Sequence, residues 1–248
     1  MTPIKNCIKN KDTTKNPIWL MRQAGRYLPE FREIRKNNQD FIKLCLNEKL
    51  SSEITLQPIK RFGFDAAIIF SDILMLPYAI NQEVNFEKGF GPKLGDLNID
   101  KIRETKEEDF TNKLNPVYKA ISLTSKNELL QNRDLIGFVG APWTILVYML
   151  NKMSPKKGLP ENFFNDSLLI NSLLEIVEKF LKHHIENQIK AGANVIQIFD
   201  SWAGLLENKI PDYIYKPTFK IVEYVKKLGV PVICFPRGVK DYLLIKNH

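Results

Sequence analysis

Residues 66–74 read AAIIFSDIL. The first five form a short unbroken apolar run, without the alternation expected of a strand that has one wet face. They read as a strand covered on both faces, the habit of parallel sheets. Four other runs share this character: residues 18–21, 135–139, 195–199 and 230–235. Helix-like segments separate them. Residues 30–36 and 48–62 follow the first run, with Ser51 and Ser52 available as caps or turn formers. Residues 111–130 and 168–191 carry apolar side chains at three- and four-residue intervals, the second ending at Gly192, and residues 211–228 repeat that plan. One excursion, residues 78–97 with Gly89, Gly91, Pro92 and Gly95, reads as a loop or irregular hairpin after the second run. It is no dinucleotide fingerprint, because no helix opens directly after a strand there.

A repeated strand-helix order fits either an eight-stranded barrel or an open doubly wound sheet, and periodicity alone does not separate them. In both, active residues collect on the loops after the carboxyl ends of the strands. Unusual polar residues stand in those places: Arg22, Asp72, Trp143 with Thr144, Ser201 and Arg237.

The 248 residues carry 36 Lys and Arg against 28 Asp and Glu, a net charge of +8, with 44% hydrophobic content. That supplies a substantial core for a soluble globular protein, read as a single domain over residues 1–248. The positive balance is compatible with nucleic acid, an anionic membrane or an acidic small molecule. Much of it is scattered lysine, as at Lys5, Lys9, Lys11 and Lys15, and no compact basic run interleaved with aromatics appears, which argues against nucleic acid. The longest apolar stretch, residues 66–76, is broken by Asp72 and too short to span a bilayer. The amino terminus is polar and Lys/Asn-rich rather than a secretory signal, so the expected location is cytoplasmic. Cys7, Cys45 and Cys234 are odd in number and far apart, which suits a reducing compartment. The adjacent His183 and His184 point different ways from a helix and read as ordinary, partly exposed helix residues.

The loop PIWLMRQAGRYLPEFR, residues 17–32, sets Arg22 and Arg26 about one glycine. Gly25 lets backbone approach a ligand closely, and two guanidiniums can converge on carboxylates. The same residues could lie over the protein surface instead. Taken singly, Asp72 also reads as a helix cap, Tyr148 as a buried aromatic and Ser201 as a cap.

The segment MRQAGRYLPEFR closely resembles the amino-terminal signature of the uroporphyrinogen decarboxylase family, and IIFSDIL (68–74), GFVGAPWT (137–144) and AGANVIQIFDSWAG (191–204) agree in the family's order. The resemblance implies a TIM-type (β/α)8 barrel. It also implies decarboxylation of the four acetate arms of uroporphyrinogen III to coproporphyrinogen III in haem biosynthesis, a lyase reaction without metal or organic cofactor. It assigns Asp72 to the pyrrole N–H groups and the cationic ring intermediate. Arg22, Arg26, Tyr148 and Ser201 fall to substrate carboxylates, and Gln23, Ala24 and Gly25 to backbone contacts. A homodimer is the family's usual assembly.

The family pattern continues past this sequence, with three more strands and a late Gly-His-Gly motif. About five of the eight strand-helix units are therefore expected here, and the family histidine's role is not carried onto His248 in VKDYLLIKNH. On that expectation, dimerisation and efficient turnover by the isolated chain are both doubtful. The alternatives are an inactive tetrapyrrole- or anion-binding remnant, or a related zinc- and corrinoid-linked methyltransferase, for which Cys234 alone would not supply a ligand set.

Overall fold

A computed structural model describes residues 1–12, 14–87, 89–206 and 211–239. The terminal VKDYLLIKNH, beyond Val239, lies outside them.

Four strands form one parallel sheet in the order β1-β4-β5-β6: β1 (Ala66–Ile68), β4 (Asp134–Gly140), β5 (Val195–Asp200) and β6 (Val232–Pro236). Between β1 and β4 an antiparallel hairpin pairs β2 (Val84–Glu87) with β3 (Gly91–Leu94), as the glycine-rich excursion suggested. Helices α1 (Pro3–Asn10), α2 (Pro29–Asn37), α3 (Phe41–Cys45) and α4 (Glu48–Phe62) precede β1. Short α5 (Met75–Ala79) and α6 (Ile99–Glu104), then α7 (Glu107–Ser125), lead to β4. The later strands are separated by α8 (Pro142–Asn151), α9 (Ser167–Ala191) and α10 (Lys216–Lys227).

Local chemistry sets the helix ends. Asn47 accepts the Leu50 N–H to cap α4, and Asp166 accepts the Leu169 N–H to cap α9. Gly192 closes α9 at φ 121°, and a Cβ there would also strike Ser125 Oγ at 2.6 Å, so both conformation and space demand glycine. Ser51 and Ser52 are not caps. Ser51 Oγ donates to the Phe70 carbonyl at 2.5 Å, and Ser52 Oγ accepts from Thr124 at 2.8 Å, because both lie a turn inside α4.

Residues 18–21 form no strand. Asp65 N–H donates to the Ile18 carbonyl at 2.9 Å, and the Asp65 carboxylate accepts the Ile18 N–H at 2.7 Å. A ladder does not continue beyond them. Ile18 and Leu20 remain more than half exposed, so the segment is an extended strap beside β1, and the described residues carry four parallel strands.

The two faces of the sheet differ. The helix-facing side holds the main core, including Ile196, Ile198, Trp143, Phe110 and Phe180. The Phe110 and Phe180 rings stack at 4.9 Å between α7 and α9. Each such side chain removed from water stabilises the fold by about 1.5–3 kcal/mol. The opposite face buries Ala66, Ile68, Ile136 and Val195 with Ile4, but leaves Trp19, Phe138, Phe199 and Ile233 only partly covered. Among the histidines, His184 departs from expectation: it is buried, and its Nδ1 meets the Tyr118 hydroxyl at 2.9 Å. Burial pushes it down to about 3, so it is a neutral core group.

Candidate active site

Because β1, β4, β5 and β6 run in parallel, their carboxyl ends share one edge of the sheet. Asp72 follows β1, Tyr148 stands on α8 just after β4, Ser201 follows β5 and Arg237 follows β6.

Among the residues the sequence assigns to the site, Asp72 stands in a strongly perturbed environment. It is partly buried, and its Oδ1 accepts the Leu74 N–H at 2.9 Å. Burial raises its pKa to about 6, with the Leu74 bond and the Arg22 charge pulling the other way. Arg22 is therefore electrostatically close to Asp72. Arg22 and Arg26 are exposed, and neither guanidinium makes a hydrogen bond or ion pair with the described residues. Leu20, Met21 and Tyr27, their neighbours in sequence, are exposed as well.

Gln23 differs from the other loop residues. Its side chain is 1% exposed, donates to the Ala66 carbonyl at 2.9 Å and accepts the Leu20 N–H at 3.1 Å. The Tyr27 hydroxyl occupies its carbonyl. Gln23 thus anchors the strap to β1. Ala24 packs against the small cluster of Leu28, Phe31, Leu44 and Ile54. At Gly25 an added Cβ would meet nothing nearer than the Tyr27 ring at 3.8 Å. The protein itself does not require glycine there.

Tyr148 is buried, and its hydroxyl has one marginal partner, Ser154 Oγ at 3.5 Å. Its ring lies edge-on to Trp202 at 5.9 Å. Ser201, immediately before Trp202, is partly exposed and makes no hydrogen bond with the described residues. The structure thus brings Arg22 within electrostatic reach of Asp72 and Tyr148 to the Ser201–Trp202 turn. Trp143 and Thr144 point inward instead: Trp143 Nε1 donates to the Trp202 carbonyl at 3.0 Å, and Thr144 Oγ1 to Asp200 Oδ1 at 2.6 Å. Asp200 was inconspicuous in the sequence, one position before Ser201. Its 2% exposure reveals it.

A profile described as Uroporphyrinogen decarboxylase (URO-D) matches residues 1–246. The chain belongs to the uroporphyrinogen decarboxylase family. Curated relatives of that name include one from Rickettsia bellii, 44% identical over 243 residues, covering 96% of this chain and 71% of the relative. One from Campylobacter jejuni is 43% identical over 247 residues, covering 97% and 72%, and one from Agrobacterium fabrum is 40% identical over 246, covering 97% and 71%. A solved methyltransferase from Methanosarcina mazei superposes with a TM-score of 0.63 at 15% identity, covering 93% of this chain and 67% of its own. That likeness concerns the fold, and the parallel β/α order fits the family's TIM-barrel plan. Among the described residues no three His, Cys, Asp or Glu side chains gather as a metal site, and no helix is long and apolar enough to cross a membrane.

Proposed function

We propose that the carboxyl-end site decarboxylates the acetate arms of uroporphyrinogen, giving coproporphyrinogen. The observation that carries this is Asp72, a desolvated carboxylate within electrostatic reach of Arg22, beside a loop whose two guanidiniums, of Arg22 and Arg26, make no hydrogen bond or ion pair with the described residues. A tetrapyrrole is an apolar disc rimmed by carboxylates. It asks for cations at its edge, apolar surface against its face and an anion beneath its pyrrole N–H groups. Arg22 and Arg26 suit the rim, with Tyr148 and Ser201 hydroxyls as further donors. The exposed Leu20 and Met21 and the partly covered Phe138 and Phe199 suit the face.

In the reaction a proton adds to a pyrrole carbon and the ring becomes cationic. The bond between the acetate methylene and its carboxylate then breaks, its electron pair flows into the ring and CO2 leaves. A second proton makes the methyl, and loss of the first restores the pyrrole. Asp72 lowers the barrier by holding a negative charge where positive charge develops, in surroundings poor enough in water for that charge to act strongly. We read residues 1–248 as one domain, supported by a single apolar cluster that spans Ile42 to Val239. The cytoplasmic location belongs to the same reading, and sedimentation decides whether the family's usual homodimer, doubtful for the isolated chain, forms here.

Anaerobic incubation with uroporphyrinogen of the purified chain, alone and together with the carboxyl-terminal segment of a family relative, followed by chromatography of the oxidised products, should show stepwise loss of acetate carboxyls. The Asp72→Asn variant should lack it. Tight binding of uroporphyrin without turnover would favour the remnant reading, and neither binding nor turnover would overturn both.

A further inference from the structure

We propose that Asp200 is a positioning residue of this site, fixing Thr144 and through it the turn that carries Ser201 and packs on Tyr148. The inference rests on the substrate-binding reading of those two residues. Asp200 is the last residue of β5, and Thr144 stands in the first turn of α8; both are buried. The Thr144 hydroxyl donates to Asp200 Oδ1 at 2.6 Å and accepts the Trp202 N–H at 3.1 Å. A hydroxyl that both gives and receives leaves its two partners little freedom. Trp202 is held again at its carbonyl by Trp143, and its ring meets Tyr148.

The main chain of Asp200 ties in the next loop. Its carbonyl accepts the Arg237 N–H at 3.0 Å, and the Arg237 carbonyl accepts the Gly204 N–H at 2.9 Å. A Cβ on Gly204 would lie 2.8 Å from the Gly238 backbone, so the two loops touch main chain to main chain. Ser201 is thereby clamped from both sides while its own hydroxyl makes no hydrogen bond with the described residues. Asp200 Oδ2 is buried without a partner among the described residues. An unpartnered buried oxygen costs stability, and what the carboxylate gives in exchange is the geometry that Oδ1 imposes.

The test uses uroporphyrin as probe, followed by quenching of tryptophan emission. Thr144→Val, which keeps the volume and removes the hydroxyl, should weaken binding about tenfold, one hydrogen bond's worth, and Thr144→Ser should restore it. In a Ser201→Ala background the effect of Thr144→Val should largely vanish, because it acts through Ser201. Wild-type affinity in Thr144→Val, or an equal loss in both backgrounds, would overturn the assignment. A ligand-free readout separates this from failure of the functional reading. Amide exchange at Trp202 and Gly204 should quicken in Thr144→Val and Asp200→Ala while α9 stays protected; unchanged exchange would also overturn it. If the wild-type chain binds no uroporphyrin, the proposed substrate falls and the exchange data decide the role of Asp200.

Discussion

The two ends of the parallel sheet each bury carboxyl groups and treat them differently. At the amino end, Asp134 opens β4 with no exposure. Its Oδ2 accepts the Ile4 N–H at 2.8 Å and the Lys5 N–H at 3.4 Å, and its Oδ1 accepts the Thr2 hydroxyl. These are donors at the start of α1, where a negative charge is also favoured by the helix dipole. At the carboxyl end, Asp72 has one backbone donor and Asp200 one hydroxyl. The better satisfied carboxylate holds the fold together, whereas the poorly satisfied ones are those our proposal gives to the site.

The largest expected effect tests the amino end. Asp134→Ala would strand buried donors and remove charge-assisted bonds, so urea unfolding should show a loss of about 3 kcal/mol or more with uroporphyrin affinity unchanged. Lost affinity at unaltered stability would erase the distinction between the ends.

Next come the arginines. Arg22→Ala and Arg26→Ala should each weaken uroporphyrin binding by about 1.5–3 kcal/mol, as for a hydrogen bond to a charged group, and leave stability within about 0.5 kcal/mol. Titration calorimetry alongside thermal unfolding measures both; full affinity in both variants would return them to the role of surface cations.

A smaller effect should appear in the pH dependence of stability. Asp72 titrates near 6 in the folded chain against an ordinary 3.8, so the folded state holds its proton more tightly than the unfolded one. The resulting penalty is absent below about pH 4, grows as pH rises and is complete above about 6. Partial solvent contact limits it to roughly 1–2 kcal/mol. Asp72→Asn should flatten its share of that slope. Turnover, which needs the carboxylate, should rise through the same window.

How much of this was legible beforehand depended on the range of the interactions. The four ladder strands announce themselves because a strand covered on both faces is apolar throughout, and parallel pairing then places Asp72, Ser201 and Arg237 along one edge. Residues 18–21 misled because an equally apolar strap at the sheet margin makes only local bonds to Asp65. The motif singled out Asp72 and Ser201. The contacts of Asp200 with Thr144, and of His184 with Tyr118, cross 56 and 66 positions and have no local signature. Gln23 was readable as part of the arginine loop, but its anchoring of Ala66, 43 positions on, was not.

The smallest effect concerns Gly25. Gly25→Ala should shift stability by less than about 0.5 kcal/mol, since the nearest protein atom is 3.8 Å from the added carbon. A weakened uroporphyrin affinity in that variant would show that ligand, rather than fold, requires the glycine.

The most direct test of the central claim is single-turnover decarboxylation of uroporphyrinogen by Asp72→Asn, measured beside its equilibrium affinity. If the carboxylate stabilises a ring that becomes cationic only on the way to CO2 loss, the chemical step should slow by about a hundredfold or more while affinity stays within a fewfold of wild type. An intact chemical step with lost affinity would make Asp72 a binding residue and contradict the account.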